Sequence, residues 1–201
     1  MDDAFEGEAL ARESVTIRRS PLFALAPLVV PGRVEVRAGR AISRFSFRGD
    51  SDAARACGDA FGPALAREVC TATRIDERTA LALGPDEWLL LAPLDKGPVL
   101  ATKIKAALGS SPHSLVDVSH RQVALSVTGR DAALLLRAFC LLDLDEAAFP
   151  VAMATRTIFA KCEVVLWRRG QHDFHIEVAR SFAPYLMGLF GEAIKDLDDP
   201  Q

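Results

Sequence analysis

The sequence predicts an α+β fold built from two halves with the same element order: strand, helix, hairpin, helix. Three observations lead there. A strand ends in a glycine and a helix starts at once, first at Gly49 and again at Gly129. A pair of apolar strands joined by a short turn follows each of those helices. The chain has 201 residues and 50% apolar composition, enough for one sizeable core or two small ones that share an interface.

The second half is the more legible. Val123, Leu125 and Val127 alternate with Gln122, Ala124 and Ser126, the period of a half-buried strand, and Gly129 punctuates it. Asp131 is placed to cap the helix that follows, whose Ala132, Leu135, Leu136 and Phe139 share one apolar face and which runs to near Leu142. The segment GRDA supplies one glycine where a dinucleotide fingerprint needs three, so the turn reads as structural. A strand over 155–167, a turn over 168–171 and a partner strand marked by Phe174, Ile176 and Val178 complete the hairpin. In the last helix Ser181 is the cap, Pro184 sits in the first turn, and Phe182, Tyr185, Leu186, Leu189, Phe190, Ala193 and Leu197 form a stripe.

The first half repeats the order. Ile42, Phe45 and Phe47 mark its strand, Gly49 turns it, and Ser51 or Asp52 caps a helix over 53–66 that Gly62 and Pro63 interrupt. Strands over 79–83 and 87–92 flank the turn Gly84, Pro85, Asp86, and a helix over 99–108 ends at Gly109. A polar linker over 110–114 joins the halves, about 32–109 and 115–198, within a single domain spanning 32–201. The repeated order implies an internal duplication, with the halves sharing a core because neither buries both faces of its own sheet. Residues 1–31 read as an extended arm: Pro21, Pro27 and Pro31 forbid a continuous helix or a central strand. Its Leu22, Phe23, Leu25, Leu28 and Val29 either pack on their own domain or dock on a partner.

Composition narrows the function classes. A net charge of −3 with both signs interspersed gives no nucleic-acid footprint. Arg33, Arg37, Arg40, Arg44 and Arg48 crowd one region, and three of them flank or occupy a predicted strand and read as its solvated face rather than a phosphate track. The start MDDAFEGEA lacks a basic and then apolar leader, and no apolar run reaches a membrane span, so the chain reads as cytoplasmic. Cys57, Cys70, Cys140 and Cys162 are widely spaced, which favours reduced, mostly buried thiols over zinc or disulfides.

No constellation carries evident chemistry. His172 and His175 are three apart on a predicted strand and so point to opposite faces. Asp117, Ser119 and His120 lie too close in sequence for a catalytic triad, and read as a polar strand edge in which Asp117 and Ser119 bond local backbone. Trp88 and Trp167, one in each half, suit core packing.

Certain stretches nonetheless resemble known proteins. DVSHRQVALSVTGRDAALLL looks like the strand–helix motif of the aminomethyltransferase-type folate-binding fold. The segments RRSPL, CLLDLDEAAFPVAMATRT, VVLWRR and FHIEVARSFAPYL resemble the gamma-subunit family of heterotetrameric sarcosine oxidase, over roughly Arg18 to Leu197. The resemblance implies membership of a complex that oxidatively demethylates sarcosine to glycine, reduces oxygen to peroxide and passes the methyl carbon to tetrahydrofolate. It implies alpha, beta and delta subunits as partners, with FAD, FMN, NAD, tetrahydrofolate and zinc held there. This chain is then expected to contain no catalytic, cofactor-binding or metal residues.

The sequence departs from the aminomethyltransferases where their aspartate pair enters the strand before the hairpin, because Lys161, Cys162 and Glu163 stand there. The extra methylene of Glu163 moves a carboxylate by more than about 1 Å, which for a catalytic group costs on the order of a hundredfold. Ala179 and Arg180 replace that family's asparagine after the partner strand. A free-standing folate-dependent transferase and a ligand-free scaffold domain are the alternatives.

Overall fold

The computed structural model describes residues 20–22 and 25–198. Two antiparallel sheets lie face to face, each with a pair of helices on its outer side. The strands are β1 (Leu28–Val30), β2 (Val34–Ala38), β3 (Ile42–Gly49), β4 (Ala72–Ile75), β5 (Arg78–Gly84), β6 (Glu87–Pro93), β7 (His113–Asp117), β8 (Gln122–Thr128), β9 (Ala154–Phe159), β10 (Cys162–Gly170) and β11 (Asp173–Ala179). The helices are α1 (Ser51–Phe61), α2 (Gly97–Leu108), α3 (Ala132–Arg137) and α4 (Ala183–Asp198). One sheet has the order β1-β2-β8-β11-β10-β9 and the other β4-β5-β6-β3-β7.

Side-chain alternation builds the layers, because successive residues of a strand face opposite ways. Leu125, Val127, Leu166, Phe174 and Ile176 pack on Leu135, Leu136, Leu186 and Phe190 of α3 and α4. Phe45, Phe47, Ala80, Trp88 and Leu90 pack on Ala53, Cys57, Phe61, Leu100 and Ile104 of α1 and α2. The opposite faces meet between the sheets, where Leu81, Leu89 and Leu91 contact Ala154, Val165 and Trp167. Both tryptophans are core residues, and Trp88 Nε1 donates to the Ala66 carbonyl at 2.8 Å.

Two chain crossings stitch the sheets together. β2 pairs with β8 although the next strand in sequence, β3, lies in the other sheet, while β7 pairs with β3 although the next strand, β8, lies in the first. Residues 39–41 and 118–121 make the two crossings.

Several expectations need correction. The strand expected over 155–167 is a hairpin, β9 and β10, turned at Ala160 with φ 50°. β4 and the edge strand β7 were hidden in the sequence, and β7 starts inside the expected linker with a mostly exposed HSLVD that shows no alternation. The cap of α1 is Asp50, whose carboxylate accepts from the backbone N–H of Asp52 and Ala53, rather than Ser51 or Asp52. Asp131 does not cap α3; its carboxylate takes the Arg33 side chain at 2.5 Å, and α3 stops at Arg137. Phe182 and Tyr185 are exposed, so the buried stripe of α4 centres on Leu186, Met187 and Phe190. The proline-rich stretch supplies β1 at a sheet edge, and Leu22 is buried in the core; Phe23 lies outside the described residues.

Candidate functional site

The space between the sheets is apolar at one end and charged at the other. Arg44 on β3 and His175 and Glu177 on β11 are all buried there. Arg44 Nε donates to Glu177 Oε2 at 2.6 Å, His175 Nε2 lies 2.7 Å from Glu177 Oε1, and Arg44 Nη1 donates to the Ile42 carbonyl at 3.1 Å. The Trp167 ring packs edge-on against His175 with centroids 5.7 Å apart. Burial pushes the Glu177 carboxyl up, but the hydrogen bonds and charges of His175 and Arg44 outweigh it and hold it below the usual carboxylate range. Both carboxylate oxygens are engaged, so the trio is a closed ion pair that ties β3 of one sheet to β11 of the other.

Arg44 also borders a cavity of about 140 Å³ at the chain crossings, lined by Gly39, Arg40, Ile42, Ser119, Gln122 and Arg180 among others. Gly39 is required where the first crossing meets β8, because a Cβ there would lie 2.6 Å from the Ala124 Cβ. Ser119 Oγ accepts the Arg44 backbone N–H at 2.9 Å, and Asp117 accepts the Ser119 N–H at 2.8 Å, which ties down the second crossing. Asp117 thus bonds local backbone, Ser119 bonds the backbone of Arg44 on β3, and His120 lies on the surface, so the three are engaged separately and not as a triad. His172 lies in an exposed turn while His175 points inward.

Of the residues singled out against the aminomethyltransferases, Cys162 and Glu163 lie apart from this interior and Arg180 stands at the edge of the cavity. Glu163 is 65% exposed and 3.6 Å from Arg156, Cys162 is buried with its thiol directed at the Phe159 carbonyl, and Arg180 is exposed. Folate does not fit between the sheets: the cavity beside Arg44 is below the roughly 300–1,000 Å³ that ligands of that size occupy, and the buried inter-sheet carboxylate of Glu177 has both oxygens taken. The four cysteines are free thiols, three of them buried, and burial pushes Cys57 up to about 12. Among the described residues no group of three or more His, Cys, Asp or Glu is placed to hold a metal ion, and no helix is long and apolar enough to cross a membrane.

Sequence reasoning missed Arg44 and Glu177, and placed Arg44 on a solvated face. The available signal was Glu177 and His175 sharing one face of a strand whose other face is Phe174, Ile176 and Val178.

The paired-sheet architecture is that of the aminomethyltransferase fold. The aminomethyltransferase T of the Bartonella henselae glycine cleavage system aligns with a TM-score of 0.59 over 77% of this chain and 44% of its own, at 12% identity. A chain of heterotetrameric sarcosine oxidase from Corynebacterium sp. U-96, solved with pyrrole 2-carboxylate, aligns with a TM-score of 0.84 at 29% identity, covering 92% of this chain and 98% of that one. Sarcosine oxidase gamma subunits of Corynebacterium sp. strain P-1 and of Arthrobacter sp. are 34% and 32% identical, covering 92% and 94% of this chain and 93% and 95% of theirs. Residues 48–195 match the sarcosine oxidase, gamma subunit family, and the chain belongs to it.

Proposed function

We propose that this chain is the non-catalytic gamma subunit of a heterotetrameric sarcosine oxidase that demethylates sarcosine to glycine and delivers the methyl carbon to tetrahydrofolate. In this reading the alpha, beta and delta subunits hold FAD, FMN, NAD, tetrahydrofolate and zinc, and this chain contributes structure to the assembly. The observation that carries it is the end-to-end match to a chain of a solved heterotetrameric sarcosine oxidase, 98% of that chain at a TM-score of 0.84. The interior is consistent with this reading, since Arg44 and Glu177 close on each other between the sheets and the carboxylate has both oxygens engaged. A free-standing folate-dependent transferase has only the distant fold likeness in its favour.

Co-expression with the three other subunits tests the reading. The tagged chain should bring them down in equal amounts, and sarcosine-dependent oxygen uptake should reside in the complex. Stoichiometric flavin or micromolar tetrahydrofolate binding in the purified chain overturns it.

We further infer that the halves, about 32–109 and 115–198, are copies of one duplicated unit and fold as a single domain behind the arm at 1–31. Support comes from the matching strand orders β4-β5-β6-β3-β7 and β9-β10-β11-β8-β2. A register shift also falls at the same place in each hairpin, between Ala82 and Gly84 and between Arg168 and Gly170. Superposing the halves checks it, and a mismatch in strand order or direction would refute it.

A further inference from the structure

The two sheets end differently. The orders β9-β10-β11-β8-β2 and β4-β5-β6-β3-β7 correspond strand for strand, but β1 continues the first sheet beyond β2, whereas β7 is outermost in the second among the described residues. Alternation identifies which backbone groups line that edge. The Val118 N–H donates to the Arg44 carbonyl at 2.9 Å, so Ser114 and Val116 also turn their backbone groups toward β3. His113 and Leu115 turn theirs away from the sheet. Val116 is 51% exposed and Leu115 half-buried. An open edge of this kind is a template on which a further strand pairs.

The arm arrives beside it. Ser20, the first described residue, lines the same cavity as Ser119 and His120, which follow directly after β7. Two extended chains running in parallel advance equally per residue, so counting back from Ser20 and Ser119 brings Arg18 level with Asp117, and Ile17 level with Val116. Each pair is complementary: a guanidinium meets a carboxylate, and an isoleucine meets an exposed valine. The segment also has a strand's pattern. Val15 and Ile17 alternate with Ser14, Thr16 and Arg18, the three central residues are β-branched, and no proline falls within 14–18.

We propose that residues 14–18 of this chain pair in parallel with β7 as the sixth strand of its sheet, with Arg18 beside Asp117 and Ile17 beside Val116. Leu115 then donates its N–H to the Val15 carbonyl and accepts the Ile17 N–H, the two slanted bonds of a parallel ladder. In this arrangement the arm closes both sheets, with β1 on β2 and its earlier residues on β7. It removes an edge that would otherwise recruit other chains.

Amide hydrogen exchange on the full chain, followed residue by residue by NMR, tests this. The Leu115 amide should exchange at least about tenfold more slowly in the parent than in Ile17→Pro, which lacks the N–H that Leu115 accepts and disrupts the strand. The Val116 amide, directed at β3, should be equally protected in both and reports that the variant is folded. Unprotected Leu115 in the parent, or equal protection in parent and variant, overturns the proposal. So does protection that grows with chain concentration, which assigns the edge to a second copy, or protection that arises only when partner subunits are added, which assigns it to one of them.

Discussion

Glu177 is fully buried, and its carboxyl nevertheless lies below the ordinary carboxylate range because His175 and Arg44 flank it. A carboxyl whose folded pKa is depressed binds fewer protons folded than unfolded. The stability it contributes is therefore fully present above the unfolded glutamate value near about 4.3, and is lost as pH falls through the lower folded value. Urea midpoints should stay level from neutral pH down to that region and then drop, and the drop should be smaller in Glu177→Gln. At neutral pH Glu177→Gln should cost roughly 3–5 kcal/mol, because Arg44 is left buried without its counter-charge. The double variant Arg44→Met, Glu177→Leu should recover most of that loss, since an apolar pair of similar volume avoids both desolvation penalties. An unchanged midpoint in Glu177→Gln would mean that the pair does not hold the sheets together. Local periodicity placed Glu177 and His175 on one face of β11 and Arg44 on one face of β3. It assigned the Arg44 face to solvent and left Glu177 unread, because a second sheet covering those faces is a fact of packing, absent from either strand alone.

Helix and turn boundaries were legible where a residue's own backbone preference sets them and illegible where a distant partner does. Gly49 and Gly129 look equivalent in sequence, yet their reasons differ. Gly129 has φ 114°, and a Cβ on it would lie 2.3 Å from the Arg33 carbonyl oxygen, whereas Gly49 is excluded by the Ala53 Cβ at 2.8 Å. Gly129→Ala combines strain with a backbone collision and should cost at least roughly 1–3 kcal/mol in chemical denaturation. Gly32→Ala, at φ 70° with open space around it, carries the conformational cost alone and should be milder. Asp50→Ala should cost about 1 kcal/mol through loss of the α1 cap. If Asp131→Ala lowers stability to the same degree, its half-exposed contact with Arg33 is worth as much as a cap, which is more than such pairs usually contribute. Residues near Asp131 gave every local sign of a cap, and only the approach of Arg33 from the β1–β2 turn 98 residues earlier redirects the carboxylate.

At the scale of the whole molecule, two α+β halves were readable, but the exchange of β2 and β7 between sheets was not, since each is joined in sequence to the strand it does not pair with. The same uncertainty surrounded the arm, and its residues divide between the two alternatives. Leu22 is 1% exposed within the chain's own core, whereas Leu25 and Val29 are 46% and 50% exposed. Leu22→Asp should therefore unfold the isolated chain. Leu25→Asp and Val29→Asp should leave its melting temperature unchanged, because each charge stands in water. In a complex that covers this edge, each should forfeit about 1.5–3 kcal/mol of apolar burial and add the cost of desolvating a carboxylate. Recovery of the partner subunits should then fall by about tenfold or more, each 1.4 kcal/mol being a factor of ten. Leu141, 97% exposed on the connection after α3, supplies the control. Normal assembly with Leu25→Asp and Val29→Asp but loss with Leu141→Asp would move the interface to the α3 side of the molecule. Normal assembly with all three would remove both faces from the contact.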